Sequence, residues 1–414
     1  MECSPHSIRY AAGAAAGPSR DAGTGGSQHA SVQWSLRRGA HSEGREVRAG
    51  IIGWRGMVGS VLMQRMRACG DFAGLEPTFF STSAAGSRGP TVDGHSFELQ
   101  DAHDLEALEA LPVLVSCQGS VYTKAVHDKL RARGWSGYFI DAASALRMRD
   151  DSVLILDPVN REVIDRGLDR GLKTFCGANC TVSLMLMALQ GLFRAGHVEW
   201  LSSMTYQAAS GGGARHMREL IAQMAAIAGD ARDLLDDPAT SALALDARVS
   251  ESLASGEFPT EAFGVPLAAS LIPWIDADLG DGQSREEWKS HAEGNKILGS
   301  ADEVPIDGVC VRVGAMRCHA QAFTIKLRQE VPLDEVRDLI AGANDWVRLI
   351  ENEREASIAN LSPAAVGGSL EVPVGRVRAM RMGPQYLSAF SVGDQLLWGA
   401  AEPLRRMLQI LRER

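Results

Sequence analysis

From residue 47 onward, short apolar runs alternate with stretches of helical period. "VRAGII" (47–52) is strand-like, and the following "MVGSVLMQRMRAC" places Val58, Leu62 and Met66 on one helical face. "LEPTFFSTS", "LPVLVSCQGS" and "GYFIDAAS" read as further buried strands, with "VYTKAVHDKLRARG" as a helix between the last two. Strands that alternate with helices predict a parallel, doubly wound sheet. The character changes after about residue 178. "HVEWLSSMTYQAAS" and "GVCVRVGAMRCHAQAFTIKLRQEV" predict longer strands of a mixed sheet, with helices at 213–228 and 333–347 between them. "DQLLWGAAEPLRRMLQILRER" predicts a terminal amphipathic helix with Pro403 in a first turn or at a kink. The fold class is therefore α/β, with a Rossmann-like domain first and an α+β domain after it.

Residues 1–46 lack this periodicity. They are rich in Ala, Gly and Ser, and they predict a disordered extension without the continuous apolar core of a secretory signal. Across all 414 residues the net charge is −9, so composition gives no support for binding nucleic acid or an anionic membrane. No apolar run reaches the roughly 18–20 residues that span a bilayer, which predicts a soluble protein. Seven cysteines, an odd number spread without small-domain spacing, argue for a reducing compartment rather than a disulfide framework.

"GWRGMVGS" sets Gly53, Gly56 and Gly59 between a strand and a helix. Glycines there let the chain turn tightly, and the amides of a helix N-terminus can receive a pyrophosphate. A structural turn would have the same spacing; the strand–turn–helix context favours dinucleotide binding. The second strand ends in Ser81-Thr82-Ser83, with Arg88 nearby and no acid before Asp93. Hydroxyls and a guanidinium suit a 2′-phosphate, whereas a carboxylate would suit a free ribose, so NADP is expected over NAD.

In "CGANCTVSL", Cys180 falls at the N-terminus of an apolar helix, where the helix dipole is expected to lower a thiol pKa and free amides can hold an oxyanion. Cys176 falls at a strand end and reads as packing. None of the cysteines has the paired spacing of a zinc site, so no metal is expected. A nucleophilic thiol needs an acid/base partner. His319, in a strand-like segment with Arg312 and Arg317, is the leading candidate, and His216 after a Gly-rich turn is the second. In one regular strand Arg312 and His319, seven apart, would face opposite sides unless Gly314 bulged. Arg147 follows a strand and could meet an anion. Glu286 and Lys289 stand at i, i+3 on a predicted helix, a pairing that a solvated face also shows.

Together with "DPVN", "TYQAASGGGARHMREL", "GVPLAASLIPWID" and "VGDQLLWGAAEPLRR", these motifs follow one another in an order that resembles the aspartate-semialdehyde dehydrogenases, in the form typical of Gram-negative bacteria. The resemblance runs from residue 47 to the end. It implies an NADP-binding domain at 47–178, completed by 395–414, and a catalytic and dimerisation domain at 179–394. It further implies Cys180 as nucleophile, His319 as general acid/base, Gln207, Glu286 and Arg312 as substrate ligands, and Arg147 and Lys289 as phosphate ligands. Arg55, Gly56, Met57, Val58, Thr82, Ser83, Gln118, Ser210, Gly211 and Gln395 would hold NADP. The implied reaction is reversible reductive dephosphorylation of L-aspartyl-4-phosphate by a cytoplasmic homodimer; a catalytically inactive NADP-binding paralogue is the alternative.

Overall fold

The computed structural model describes residues 47–414, so the expectation of a disordered extension lies outside the described residues. Eight strands form the first sheet: β1 (Val47–Ile52), β2 (Leu75–Ser81), β3 (Arg88–Val92), β4 (His95–Asp101), β5 (Val113–Ser116), β6 (Tyr138–Asp141), β7 (Ser152–Ile155) and β8 (Thr174–Gly177). Their order is β3-β4-β2-β1-β5-β6-β8-β7, and every pairing is parallel except that of the β3/β4 hairpin at one edge. The chain leaves β1 toward β2 on one side and later returns to β5 on the other. The turn after β1 therefore opens at the point where the order reverses, the place where open α/β sheets form a ligand crevice.

The second sheet contains β9 (Val198–Gln207), β10 (Leu271–Ile272), β11 (Ile306–Asp307), β12 (Cys310–Val313), β13 (Cys318–Leu327), β14 (Val347–Leu349), β15 (Val372–Met380) and β16 (Gly383–Asp394). The order is β10-β12-β9-β13-β16-β15-β14, with β11 paired to β9, and the sheet is mixed. The segment expected to be one strand around Gly314 is two strands, β12 and β13, lying on opposite sides of β9. The 314–317 turn carries the chain over the end of β9, where Ala209 and Ser210 donate their N–H groups to the carbonyls of Ala315 and Met316. The facing problem between Arg312 and His319 disappears, because the two residues belong to different strands.

The Cys180–Arg194 helix joins the two sheets and is buried on every side from Thr181 to Leu192, which explains its almost uninterrupted apolar sequence. It packs against the Arg285–Leu298 helix and against β15 and β16. The helix expected at 333–347 ends at Ala341, and residues 347–349 become β14. At the C-terminus, a π-helical turn over Leu397–Ala401 leads into the Glu402–Arg412 helix, with Pro403 in its first turn. Proline lacks the N–H that this position leaves unpaired in any case. That helix returns to pack on β6, β7 and β8 of the first sheet.

Candidate active site

Cys180 is the first residue of its helix, and Asn179 caps it. The Asn179 side-chain oxygen accepts the N–H of Thr181 (2.9 Å) and of Val182 (3.3 Å), which satisfies two of the amides a helix start leaves free. The sulfur of Cys180 lies 3.2 Å from Nε2 of His319, a fully buried residue on β13. The other candidate base, His216, stacks edge-on against Phe263 instead.

Cys180 opens on a cavity of about 520 Å³ that is also lined by Arg147, Gln207, Glu286, Lys289 and Arg312. Four segments bring these side chains in. Arg312 on β12 and Gln207 at the end of β9 are register partners. The Arg285–Leu298 helix, started by a reciprocal Ser284/Glu287 capping box, supplies Glu286 and Lys289. Arg147 comes from the loop after β6. Glu286 is the hub: its carboxylate accepts from Asn179 Nδ2 at 2.9 Å, Gln207 Nε2 at 3.3 Å and Lys289 Nζ at 2.9 Å. Burial opposes its charge, yet Lys289, the Asn179 amide and Arg312 together hold its carboxyl below the usual range.

Two residues of this site were not singled out in the sequence. Asp276 takes a second bond from Lys289 Nζ at 2.7 Å. Glu293, one helical turn beyond Lys289, accepts Arg147 Nη1 at 3.1 Å and the backbone N–H of Asn179 at 2.6 Å. Helical spacing of Glu286, Lys289 and Glu293 was a readable pattern, but nothing in it said which face met the cleft. Arg147 and Lys289 thus already have carboxylate partners. Arg147 nevertheless keeps its buried Nε without a hydrogen-bond partner, as an anion ligand would require.

The expectation that the helix N-terminus lowers the Cys180 thiol is corrected by the structure. Burial, reinforced by the Glu286 charge, pushes it up to about 12, against the pull of Arg312, Arg147 and Lys289. His319 is pushed down to about 3 by burial and by Arg312. Cys176 is buried at the end of β8, as its position suggested.

At the other end of the crevice, Gly59 sits under the turn after β1. A Cβ there would lie 2.2 Å from the Gly53 carbonyl oxygen, so the helix start can approach the turn only with glycine at this place. Gly56 caps that helix, and Met57 and Val58 in its first turn line the same cavity as Cys180. Arg55 Nη2 donates to Ser81 Oγ at 3.3 Å, and Gln118 Nε2 to Thr82 Oγ1 at 3.3 Å, so Arg55, Thr82, Ser83 and Gln118 surround one exposed strand end. Arg88 does not take part; it bonds Ser96 within the β3/β4 hairpin. Ser210 and Gly211 lie in the turn after β9, and Gln395 Nε2 donates to Ser210 Oγ at 2.8 Å beside Cys180. The π-helical turn behind them comes so close that a Cβ on Gly399 would stand 2.6 Å from Cys180 Cβ.

Comparison with known proteins agrees with this layout. Residues 48–167 match the NAD-binding domain of semialdehyde dehydrogenases, and residues 189–398 match their dimerisation domain. The chain belongs to the semialdehyde dehydrogenase family, and within it to the aspartate-semialdehyde dehydrogenases. The second step rests on the aspartate semialdehyde dehydrogenase of Francisella tularensis, 44% identical over 88% of this chain and 100% of that one, with a TM-score of 0.84. Aspartate semialdehyde dehydrogenase II of Vibrio cholerae, complexed with ASA, shares the fold at 22% identity, 89% and 99% coverage and a TM-score of 0.71. The Candida albicans enzyme, solved with NADP, shares it at 15% identity, 89% and 99% coverage and a TM-score of 0.59.

Proposed function

We propose that this chain catalyses the reversible, NADPH-dependent reductive dephosphorylation of L-aspartyl-4-phosphate to L-aspartate-4-semialdehyde through a thioester on Cys180. The observation that carries this reading is the Cys180–His319 contact at 3.2 Å, on a cleft that also presents the cations of Arg147, Lys289 and Arg312 and the carboxylates of Asp276 and Glu286. Arg312 and Glu286 match the α-carboxylate and α-amino group of an aspartyl substrate, one charge each, with Gln207 between them. Arg147 and Lys289 receive the phosphoryl group. The Cys180 thiol gives its proton to His319, the general acid/base, as its sulfur attacks the activated carbonyl; the C–O bond to phosphate breaks, and phosphate departs with that electron pair toward the two cations while the acyl group stays on sulfur. Reversal of this exchange, with inorganic phosphate attacking the thioester, serves the oxidative direction.

The Gly59 close approach and the Arg55, Thr82, Ser83 and Gln118 cluster fit a dinucleotide carrying a 2′-phosphate, for they offer amides, hydroxyls and a guanidinium without a carboxylate in that turn. Gly56, Met57, Val58, Ser210, Gly211 and Gln395 would hold the rest of it. When bound, NADPH supplies the hydride that reduces the thioester carbonyl. In this reading, 47–178 and 395–414 bind NADP, and 179–394 carry catalysis and homodimer formation. Among the described residues no helix is long and apolar enough to cross a membrane. A cytoplasmic place in the synthesis of lysine (through diaminopimelate), threonine, methionine and isoleucine follows from the reaction.

The test is turnover of L-aspartate-4-semialdehyde with phosphate and NADP. Failure of that reaction, with NADP binding retained, would favour the inactive paralogue.

A further inference from the structure

Glu286, Lys289, Glu293 and Lys296 stand at i, i+3, i+7 and i+10 on the Arg285–Leu298 helix, a spacing that sets them in one stripe. The first two line the cavity, and the third grips the Arg147 guanidinium. Lys296 is half-buried and does not line the cavity. It reaches instead the main chain of the loop between β6 and β7. Its Nζ donates to the carbonyl oxygens of Arg147 and Arg149, each at 2.7 Å, and to Ser152 Oγ at 3.2 Å. An ammonium has three N–H groups, so all of them are used, and all three acceptors are neutral. Ser152 Oγ in turn donates to the Leu146 carbonyl at 2.6 Å, which draws the same turn around the ammonium.

Residues 142–151 form neither helix nor strand, so the place of Arg147 within them depends on such ties. One helix holds this arginine twice, Glu293 at the guanidinium and Lys296 at its own carbonyl. We propose that Lys296 is a positioning residue for the phosphate subsite: it anchors the Arg147 main chain to the helix that carries Lys289, and so fixes the spacing of the two cations that receive the phosphoryl group. Arg147 comes from a loop of the first sheet, and Lys289 from the segment between β10 and β11 of the second. The helix meets the first sheet by packing on β7, and Lys296 secures the adjoining loop to it. Two helical turns, about 10 Å, separate Lys289 from Lys296, and a packed helix does not stretch. The proposal rests on the reading of Arg147 and Lys289 as phosphate ligands and adds what keeps them in register.

Lys296→Met retains the apolar stem and removes all three donors, whereas Lys296→Arg retains a cation that can donate to the same carbonyls. Inorganic phosphate is titrated calorimetrically into each protein, and steady-state constants are measured in the oxidative direction. A misplacement of about 1 Å at a positioned group can cost on the order of 10²-fold. For Lys296→Met, Kd and KM for phosphate are expected to rise about 10-fold or more, while kcat at saturating phosphate and KM for L-aspartate-4-semialdehyde stay within about threefold. Lys296→Arg is expected to lose less phosphate affinity than Lys296→Met.

Unchanged phosphate constants in folded Lys296→Met overturn the proposal. So does an equal loss for phosphate and for the aldehyde, which is the mark of a merely structural lysine. Should Lys296→Met not fold, Lys296→Gln is read by the same criteria. An unaltered enzyme that neither binds nor uses phosphate would overturn the proposed function and this proposal with it. That outcome is seen before any variant is made, so it is distinct from a failure of Lys296 alone.

Discussion

The carboxylate of Glu293 lies 3.1 Å from the guanidinium of Arg147, and both side chains are buried at the floor of the cleft. Glu293 also holds the N–H of Asn179, the residue before Cys180, at 2.6 Å. One carboxylate thus ties the Arg147 guanidinium of the cleft to the start of the helix that carries Cys180. Removing one member of a buried pair leaves the other desolvated and uncompensated, at a cost of about 3–5 kcal/mol. Glu293→Ala is expected to lower stability by that order, read from the urea denaturation midpoint. In Glu293→Ala/Arg147→Ala the loss should be clearly less than the sum of the single losses, because the second substitution removes the orphaned charge. Additive losses would mean that the pair is not coupled.

Cys180→Ser places an oxygen where the sulfur stands. A hydroxyl gives up its proton far less readily than a thiol and is a far weaker nucleophile, so kcat is expected to fall at least about 10³-fold. The cofactor end of the crevice is built from other residues, and NADP affinity measured by fluorescence or calorimetry should be unchanged. Substantial NADP- and phosphate-dependent oxidation of the aldehyde by this variant would eliminate the thioester mechanism.

Much of this site was readable because several of its residues sit at element boundaries. Cys180 at a helix start and the glycine turn after β1 are local features, set by short-range sequence. The facing of Arg312 and His319 was not legible, because it depends on β12 and β13 flanking β9, a non-local pairing that spacing along the chain does not encode. Arg55 rather than Arg88 serving the end of β2 has the same origin. The β3/β4 hairpin carries Arg88 away, while the turn after β1 brings Arg55 back. Position at a helix start told nothing of how deeply the thiol is buried under the π-helical turn or of the Glu286 charge beside it, and these two push the Cys180 thiol up.

Asp141, fully buried at the end of β6, gives a prediction for pH. Burial pushes its carboxyl up to about 6, against hydrogen bonds from Thr123 Oγ1 at 2.7 Å and the Ala143 N–H at 3.1 Å. The native state therefore holds this proton more tightly than the unfolded chain, whose Asp titrates near 3.9. Where the native state binds more protons, stability falls as pH rises, here between about pH 4 and pH 6, by an amount on the order of 2–3 kcal/mol. Asparagine can accept from Ala143 and donate to Thr123 without titrating. Asp141→Asn should then match the unaltered protein at pH 4 and exceed it at pH 7, as read from denaturation midpoints at the two values. A difference between the proteins that does not change with pH would remove Asp141 as the source.

Arg55 decides the cofactor prediction. Its guanidinium reaches Ser81 at 3.3 Å at the exposed end of β2, beside Thr82 and Ser83, and no carboxylate lies in that turn to bind a free ribose. A 2′-phosphate placed there gains a charge-assisted bond, of a kind worth about 1.5–3 kcal/mol. Arg55→Ala is expected to raise KM for NADPH by about 10–100-fold and to leave KM for NADH nearly unchanged, since NADH has no phosphate to lose contact with. The ratio of kcat/KM for the two cofactors is the quantity to measure. A parallel loss with both would place Arg55 at the pyrophosphate, and no loss with either would move the 2′-phosphate site elsewhere.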